Sequence, residues 1–580
     1  ADLTAESLRI FLQHEPACIP SFVRRLQESG EVPPAQLASM LGVADITAVM
    51  RWNVDAALAL LGAVSGEPEP ECVAFGWHPL PKRVGFGPRG MLEHVRFVLN
   101  GAAPLRCRYV PDNVWRYDSG VFEAPKWHSY FTDRNHPQLK EASMKVCHVA
   151  NIITADFFSS FAVAADDDMS IYEDDVVAGA IEHVWWTGAV KVDLVQGLLS
   201  IWGLGLLLLE TYLNSPSQSS GRELRTRGHQ TIVPSGYEID WVEATHLSSS
   251  AVARTFIGAR GIVDLILEIL QLCGSCIIGR QSQYLSPGNA YDLIRSAVPI
   301  IFLVWSQCPV IQVMVTLISW LRLLDVFTIS EKIMAVLIPI VYSYRGLGPV
   351  TVVTAMCFCS FMHSFCMVRS QPVSEALFAA FDTLITQGMP ASLNDETAVE
   401  ISLTYLAVLV FSVFILNIFI GVISEQYSHE KEQVKASLSK LRAMHCEAFL
   451  QRALIIPGKL MSARCAAMLL LFLTLALAAM QAWFLFHPER VIAMAATSAT
   501  CQALMFLAVY QDDGAIGAQH PHDSESVEKR YLWLAVPEGL PEKDTPMLKE
   551  LRSILREEMA ANGLRQSFNV HRDGTTSSPA

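Results

Sequence analysis

The sequence predicts an all-α membrane protein, and three observations carry this prediction. Of the 580 residues, 51% are hydrophobic and only 17% are charged, which is unlike a typical soluble globular protein. The apolar residues are clustered into runs that approach the ~20 residues a helix needs to cross a bilayer. A short amphipathic segment, a polar turn and a long apolar run follow one another in residues 373–424. Membrane helices should therefore dominate the fold.

Residues 1–184 predict a cytosolic, mostly helical amino-terminal region. Residues 1–64 show helical periodicity in short pieces, and residues 136–184 become helical again after an irregular stretch rich in Pro, Gly and Trp. We find no nucleotide-binding loop, metal-ligand cluster or catalytic-triad spacing in this sequence, so we expect no enzyme and no catalytic residues. The net charge of −14 argues against a nucleic-acid partner.

Residues 185–327 predict a sensor-like domain of four membrane helices. The four helices are predicted at residues 194–213, 252–278, 289–305 and 309–327. The second helix carries Arg260, Asp264 and Glu268 at intervals of four, which places them on one face. A charged face of a membrane helix must point into the bundle or into a wet cavity. The fourth helix carries only Arg322, whereas strong voltage gating needs a repeated stripe of cations.

Residues 328–428 predict a connector followed by a pore domain. The connector is bent at Pro339, and a fifth helix follows at 349–368. The segment 374–385 is too short to cross a bilayer and ends in a polar turn, while 401–423 is apolar and long enough for one crossing. A half-helix, a polar turn and a full helix form a re-entrant pore loop in tetrameric cation channels. The alternative is an external amphipathic helix before an ordinary membrane helix.

Residues 429–456 predict a cytosolic coupling helix, because its cations place this side of the membrane in the cytosol. Residues 457–510 contain two further apolar runs, which predict either an extra membrane hairpin or an interfacial helix pair. Residues 511–580 are charged and predict a cytosolic tail that is partly disordered.

Four sequence pieces carry a resemblance to a known family. They are SIYEDDVVAGAIEHVWW at 170–186, LEILQL at 267–272 with YLSPGNAYDL at 284–293, TQGM at 386–389 and ILNIFIGVISEQYS at 415–428. Together with six helices and a pore loop, they resemble the ion-transport domain of transient receptor potential (TRP) channels, with the polycystins nearby. The resemblance covers residues 170–450. Pro390 stands where a vanilloid-type filter continues to Gly and Asp, which argues against high calcium selectivity.

The resemblance implies a six-helix, voltage-gated-like ion channel fold with a re-entrant pore loop. It implies a homotetrameric cation channel that is weakly selective, calcium-permeable and gated by a ligand, a lipid or another stimulus. Membrane lipid and permeant cations would be its partners, and we expect the plasma membrane rather than an internal membrane. The alternatives are a multi-pass transporter, a membrane scaffold, or a single-domain voltage-gated-like calcium or sodium channel.

The pore stretch supplies the candidate pore residues. The predicted filter is Thr386, Gln387, Gly388 and Met389, and the outer vestibule is Asp382, Asp395 and Glu396. Alternatively, the acidic residues at 395 and 396 only solvate a loop. Hydrophobic constrictions close pores by dewetting, and the predicted gate is Ile415, Asn417, Phe419, Ile420 and Ile423. In the alternative, each of these residues simply packs in the hydrophobic core and does not close a pore.

A regulatory Ca²⁺ site is predicted at the cytosolic side of the four-helix domain. Glu268 and Gln271 are three residues apart on the second helix, and Asn289 and Asp292 are three apart on the third, so each pair shares one helical face. Their oxygens suit Ca²⁺, and the pattern resembles the calcium site of melastatin-type and ankyrin-type TRP channels. In the alternative, Glu268 pairs with Arg260 or Arg295, and the second pair caps its helix.

Overall fold

The computed structural model describes most of the predicted membrane region and parts of both terminal regions. The described residues are 5–29, 32–66, 107–111, 142–164, 169–213, 241–284, 287–306, 308–343, 347–369, 373, 375, 377–378, 380–381, 398–456, 460–484, 490–511 and 529–537.

The amino-terminal region is built from short packed helices, as the periodicity predicts. They are α1 (Ala5–His14), α2 (Ile19–Ser29), α3 (Pro34–Met40), α4 (Val43–Trp52), α5 (Val54–Ala63), α6 (Ala155–Ala164) and α7 (Asp175–Val184). Local capping sets several of their starts: the Asn53 side chain accepts from the Ala56 N–H at 2.9 Å where α5 begins. A buried aromatic cluster on α6, Phe157, Phe158 and Phe161, joins this region to the main core.

A four-stranded antiparallel sheet is an addition to the predicted all-α architecture. Its strands are β1 (Ser65–Gly66), β2 (Cys107–Pro111), β3 (Ala142–Cys147) and β4 (Arg530–Pro537), in the spatial order β1-β3-β4-β2. β4 belongs to the tail that is predicted to be partly disordered, and its Trp533 is buried. Sequence reasoning missed this strand because β4 pairs with β3 and β2, which lie about 385 to 427 residues earlier, and local patterns do not reveal such pairing.

The membrane region follows the predicted order of helices closely. Its helices are α8 (Val190–Leu213), α9 (Trp241–Ile277), α10 (Gln281–Tyr284), α11 (Pro287–Val304), α12 (Pro309–Val326), α13 (Glu331–Ser343), α14 (Gly348–Arg369), α15 (Ala398–Val408), α16 (Leu416–Glu432), α17 (Val434–Ala453), α18 (Ala463–Phe484) and α19 (Val491–Val509). One π-helical turn, Trp185–Ala189, joins α7 to α8, and another, Leu409–Ile415, joins α15 to α16.

Six segments among the described residues are long and apolar enough to cross a membrane. They are Asp175–Tyr212, Pro309–Ile329, Gly348–Val368, Ile401–Glu432, Cys465–Phe484 and Val491–Val509. The helices α9 and α11 pack against each other, and α9 also contacts α8 while α11 contacts α12; both carry more charged and polar side chains than the six spans. These six segments indicate an integral, multi-pass membrane protein.

Small residues let the bundle helices approach closely. A Cβ added at Gly258 of α9 would lie 2.9 Å from the Leu303 Cβ of α11, and one added at Gly261 would lie 2.7 Å from the Ser296 carbonyl oxygen. Close backbone approach is the usual way for membrane helices to gain packing contacts where lipid supplies no hydrophobic drive. The α9–α11 contact therefore depends on glycine at these two positions.

The helices α18 and α19 lie against α8 and α9. The Trp202 indole N–H of α8 donates to Gln481 Oε1 of α18 at 2.7 Å. The Arg260 guanidinium of α9 lies 5.1 Å from the ring centroid of Phe506 on α19. Both contacts join this helix pair to helices of the four-helix domain, so the pair is packed onto that domain.

The carboxyl-terminal end of α9 touches α17 so closely that Gly274 should not tolerate a side chain. A Cβ at this position would lie 2.2 Å from the Gln451 carbonyl oxygen, which is backbone and cannot rotate away. We expect Gly274→Ala to lower stability by ~1–3 kcal/mol, the usual cost of overpacking. Gly205→Ala on α8 is the control, because nothing lies within 4 Å of its added Cβ. Thermal unfolding in detergent measures the difference, and equal melting temperatures for the two variants would refute the close contact.

Candidate pore and coupling site

The predicted filter and vestibule cannot be placed in the structure. Thr386, Gln387, Gly388, Met389, Asp382, Asp395 and Glu396 all lie outside the described residues. Their roles therefore stay predictions.

The structure divides the five predicted gate residues into two groups. Ile415 is buried and Phe419 half-buried, and both belong to a cluster with Phe361 on α14. By contrast, Asn417 is exposed, Ile420 is 57% exposed and Ile423 is intermediate. The Asn417 amide donates to the Val413 carbonyl oxygen at 2.6 Å, so one of its N–H groups is satisfied within its own helix. Packing within the chain therefore explains why an apolar residue stands at Ile415, whereas Ile420 remains exposed.

A buried ionic cluster holds the bundle together. Asp264 on α9 binds Arg260 at 2.7 Å on its own helix and Arg322 of α12 at 2.8 Å. Arg322 also donates to the Arg295 carbonyl oxygen of α11 at 2.8 Å, and the Arg295 guanidinium pairs with Asp325. Both Arg260 and Arg322 are buried, which confirms that the charged face of α9 points into the bundle.

Arg452 of α17 contacts the α9 half of the predicted calcium site. Its guanidinium donates to Glu268 Oε1 at 3.0 Å, to Gln271 Oε1 at 2.7 Å and to the Leu267 carbonyl oxygen at 3.1 Å. The alternative partners that the sequence suggests for Glu268 are wrong, because Arg260 is held by Asp264 and Arg295 by Asp325. The true partner lies 184 residues away in the sequence.

Tyr284 links the two halves of the predicted calcium site. Its hydroxyl donates to Glu268 Oε2 at 3.1 Å, and its carbonyl oxygen accepts from the Asn289 side-chain amide at 2.7 Å. Asp292 is intermediate in exposure, and its carboxylate lies 3.9 Å from the Arg295 guanidinium.

The predicted calcium residues supply oxygen donors that fit a hard cation, and a cationic guanidinium already contacts two of them. Within the described part of the chain, no group of three or more His, Cys, Asp and Glu side chains forms a metal cluster. Any metal site here therefore depends on the amide oxygens of Gln271 and Asn289 as well as on the two carboxylates.

His445 of α17 forms a second ionic contact with the bundle. Its Nδ1 lies 2.9 Å from the carboxylate of Asp193 on α8, and the Thr328 hydroxyl after α12 donates to the same carboxylate at 3.2 Å. Burial alone lowers the pKa of His445, but the Asp193 carboxylate outweighs burial and the pKa is raised. The edge of Trp185 packs on the imidazole, with ring centroids 6.0 Å apart.

Two further regions converge on α17 and the end of α9. Arg280, just after α9, binds Asp156 of α6 at 2.8 Å, and Arg51 of α4 binds the same carboxylate at 3.0 Å. Tyr510, at the end of α19, stacks on Phe449 of α17 with ring centroids 5.0 Å apart and planes 7° apart. The coupling helix is therefore in contact with the bundle and with the end of the carboxyl-terminal helix pair.

Sequence reasoning missed four residues of this coupling site: Asp193, His445, Arg452 and Tyr510. Asp193 and Arg452 had a usable signal, since each is a charged residue beside an apolar run and must find a partner. Nothing in the neighbouring sequence indicates which residue that partner is.

Residues 250–435 match the family model described as "Ion transport protein". This range begins in α9 and ends at the start of α17, and it includes the pore domain. The match indicates an ion channel rather than an enzyme. A comparison with curated proteins finds no match.

Among solved structures, the chain is similar to a full-length TRPY1 described as bound to PI3P and calcium in detergent. The two share 11% identity with a TM-score of 0.33, and the alignment covers 90% of this chain and 88% of that one.

The His445–Asp193 contact predicts a pH dependence. Because the folded-state pKa of His445 is raised, its stabilisation is complete below the unfolded value of ~6.5 and is lost as pH rises through the folded value. We expect the melting temperature of the wild type to fall, relative to His445→Gln, as the pH rises from about 6.5 through the raised folded-state pKa. His429→Gln, an exposed histidine on α16, is the control and should keep the wild-type profile. Parallel profiles for wild type and His445→Gln would contradict the ionic contact.

Proposed function

We propose that the chain is a TRP-type cation channel that assembles as a homotetramer and is gated by a ligand or lipid rather than strongly by voltage. The observation that carries this proposal is the position of α17. This helix follows α16 after a single residue, so it is continuous with the predicted pore-lining helix, and it binds the four-helix domain through Arg452 and His445. A helix joined to the pore at one end and to a sensor-like domain along its length can transmit a stimulus between them.

The exposure of the pore domain supports assembly from several copies. Within the chain, only 6% of the apolar window in Gly348–Val368 and 18% of that in Ile401–Glu432 are buried, compared with 50% in the first span. The pore helices therefore present large uncovered apolar faces, which neighbouring copies and lipid would cover. One chain supplies one pore loop, so a filter ringed by oxygens requires several chains.

Arg322 supports gating without strong voltage sensing. It is the single cation predicted for the fourth helix, and it is buried against Asp264 and the Arg295 carbonyl oxygen. Moving it across the membrane field would break both contacts, and one charge supplies little of the work that voltage gating needs. Because this helix carries a single buried cation, a single-domain voltage-gated-like calcium or sodium channel is disfavoured.

The remaining parts of the proposal concern ions and membrane. The filter at 386–389 and the acidic vestibule would pass cations with weak selectivity, including calcium. Ca²⁺ would also be a cytosolic regulator, held by the oxygens of Glu268, Gln271, Asn289 and Asp292. The pair α18–α19 would be an extra membrane hairpin, since both helices are long enough to cross and pack beside α8 and α9. We place the channel in the plasma membrane.

Recording from the purified protein in planar bilayers tests the proposal. We expect discrete cation-selective currents from particles whose native mass corresponds to four chains. A monomeric particle after gentle extraction would refute the tetramer. Saturable solute flux without discrete openings would instead favour a multi-pass transporter, and the absence of both would favour a membrane scaffold.

The gate prediction follows from the uncovered face of α16. Replacing Ile420 and Ile423 by Asn should raise the closed-state current, because a wetted constriction no longer blocks ions by dewetting. Ile418→Asn is the matched control, as Ile418 is also exposed but points about 160° away from Ile420 and about 140° away from Ile423 on the same helix. Single-channel recording without stimulus measures the leak. Equal leak in the control, or no leak in the double variant, would count against this gate.

A further inference from the structure

The Arg452 guanidinium binds both of the side chains, Glu268 and Gln271, that α9 contributes to the predicted calcium site. Arg452 lies 3.0 Å from Glu268 Oε1 and 2.7 Å from Gln271 Oε1, and its third acceptor is the Leu267 carbonyl oxygen at 3.1 Å. The side chain is only 9% exposed and its carboxylate partner 10%. Arginine stays protonated in proteins, so a permanent positive charge contacts the donors that a calcium ion would use.

The other cations near the site are already engaged. Arg260 and Arg322 share Asp264, and Arg295 pairs with Asp325 on α12. Asp292 lies 3.9 Å from Arg295, a weaker contact than any of those. Arg452 is therefore the cation that neutralises Glu268, and it comes from α17, outside the four-helix domain.

We propose that Arg452 is a tethered cation that competes with a divalent cation for Glu268 and Gln271. This inference rests on the proposed calcium site and assigns its regulation. With Arg452 inserted, two of the four donors are occupied and α17 is tied to the end of α9. With Arg452 withdrawn, no guanidinium competes for Glu268 and Gln271, and only the neutral Tyr284 hydroxyl still donates to Glu268.

The competition makes calcium affinity depend on the position of the coupling helix. Linkage is reciprocal: any change in α17 that withdraws Arg452 strengthens divalent-cation binding, and binding in turn favours the withdrawn position. Because α17 follows α16 directly, the same change reaches the predicted gate. The structure therefore corresponds to the arginine-bound, low-affinity form.

The alternative is that Arg452 is only a structural cross-link. A buried ion pair loses several kcal/mol when one partner is removed, so Arg452→Gln would then destabilise the protein and leave its calcium affinity unchanged. Arg452→Lys keeps the positive charge but removes the planar fork that reaches two acceptors at once. This second variant keeps the proposal testable if the first folds poorly.

Calorimetric titration of CaCl₂ into the purified full-length protein in nanodiscs tests the competition. We expect the apparent Kd to fall by about tenfold or more in Arg452→Gln and by less in Arg452→Lys, within the usual range of coupling between sites. Glu268→Gln should abolish binding in every background. Arg442→Gln is the matched control, because Arg442 lies on the same helix but packs over Trp185, at 5.4 Å, away from the site.

Hydrogen exchange supplies a second readout that does not depend on channel activity. Calcium should speed amide exchange near residue 452 in the wild type but not in Arg452→Gln, where the tie is already absent. Equal calcium affinity in wild type and Arg452→Gln, with Glu268→Gln inactive in binding, would overturn the competition and leave the calcium site standing. No binding in either protein would refute the calcium site itself, and the competition with it.

Discussion

The structure depends on one constraint: an ionised side chain in an apolar bundle must have a partner. Asp264 binds both Arg260 and Arg322, and it thereby joins α9 to α12 where all three side chains are largely shielded from solvent. Removing one partner of such a group costs ~3–5 kcal/mol, because the other charge stays buried without compensation. The Asp264 contacts therefore oppose any sliding of α9 against α12.

The same constraint fixes the coupling helix on the bundle. Asp193 binds His445 and Glu268 binds Arg452, so each of two carboxylates on the bundle finds its cation on α17. These contacts differ in one respect: arginine stays charged, whereas the imidazole loses its proton as pH rises. The Glu268–Arg452 contact therefore persists unless another cation replaces the guanidinium, whereas the Asp193–His445 contact weakens as the pH rises.

Local patterns predicted the helices of the membrane region but not the contacts between distant segments. The spacing of Arg260 and Asp264 alone showed that α9 has a buried charged face, because helical geometry is set within a few residues. Pairings across long stretches of chain, such as Glu268 with Arg452 and β3 with β4, depend on how the whole chain folds. For this reason the predicted partners of Glu268 were wrong and the strand in the tail was missed.

The parts of the chain outside the ion-transport match converge on the coupling helix. Tyr510 brings the end of α19 onto Phe449, and α6 packs on α17 and binds Arg280, at the end of α9, through Asp156. Within the match, Gly274 brings α9 onto the backbone of α17. Each of these contacts stabilises the same position of α17. Each therefore contributes free energy to the equilibrium between this position and any other position of the helix. A lipid that displaces α18–α19, or a ligand that moves the amino-terminal helices, would therefore act on the same equilibrium of α17 as the proposed calcium binding.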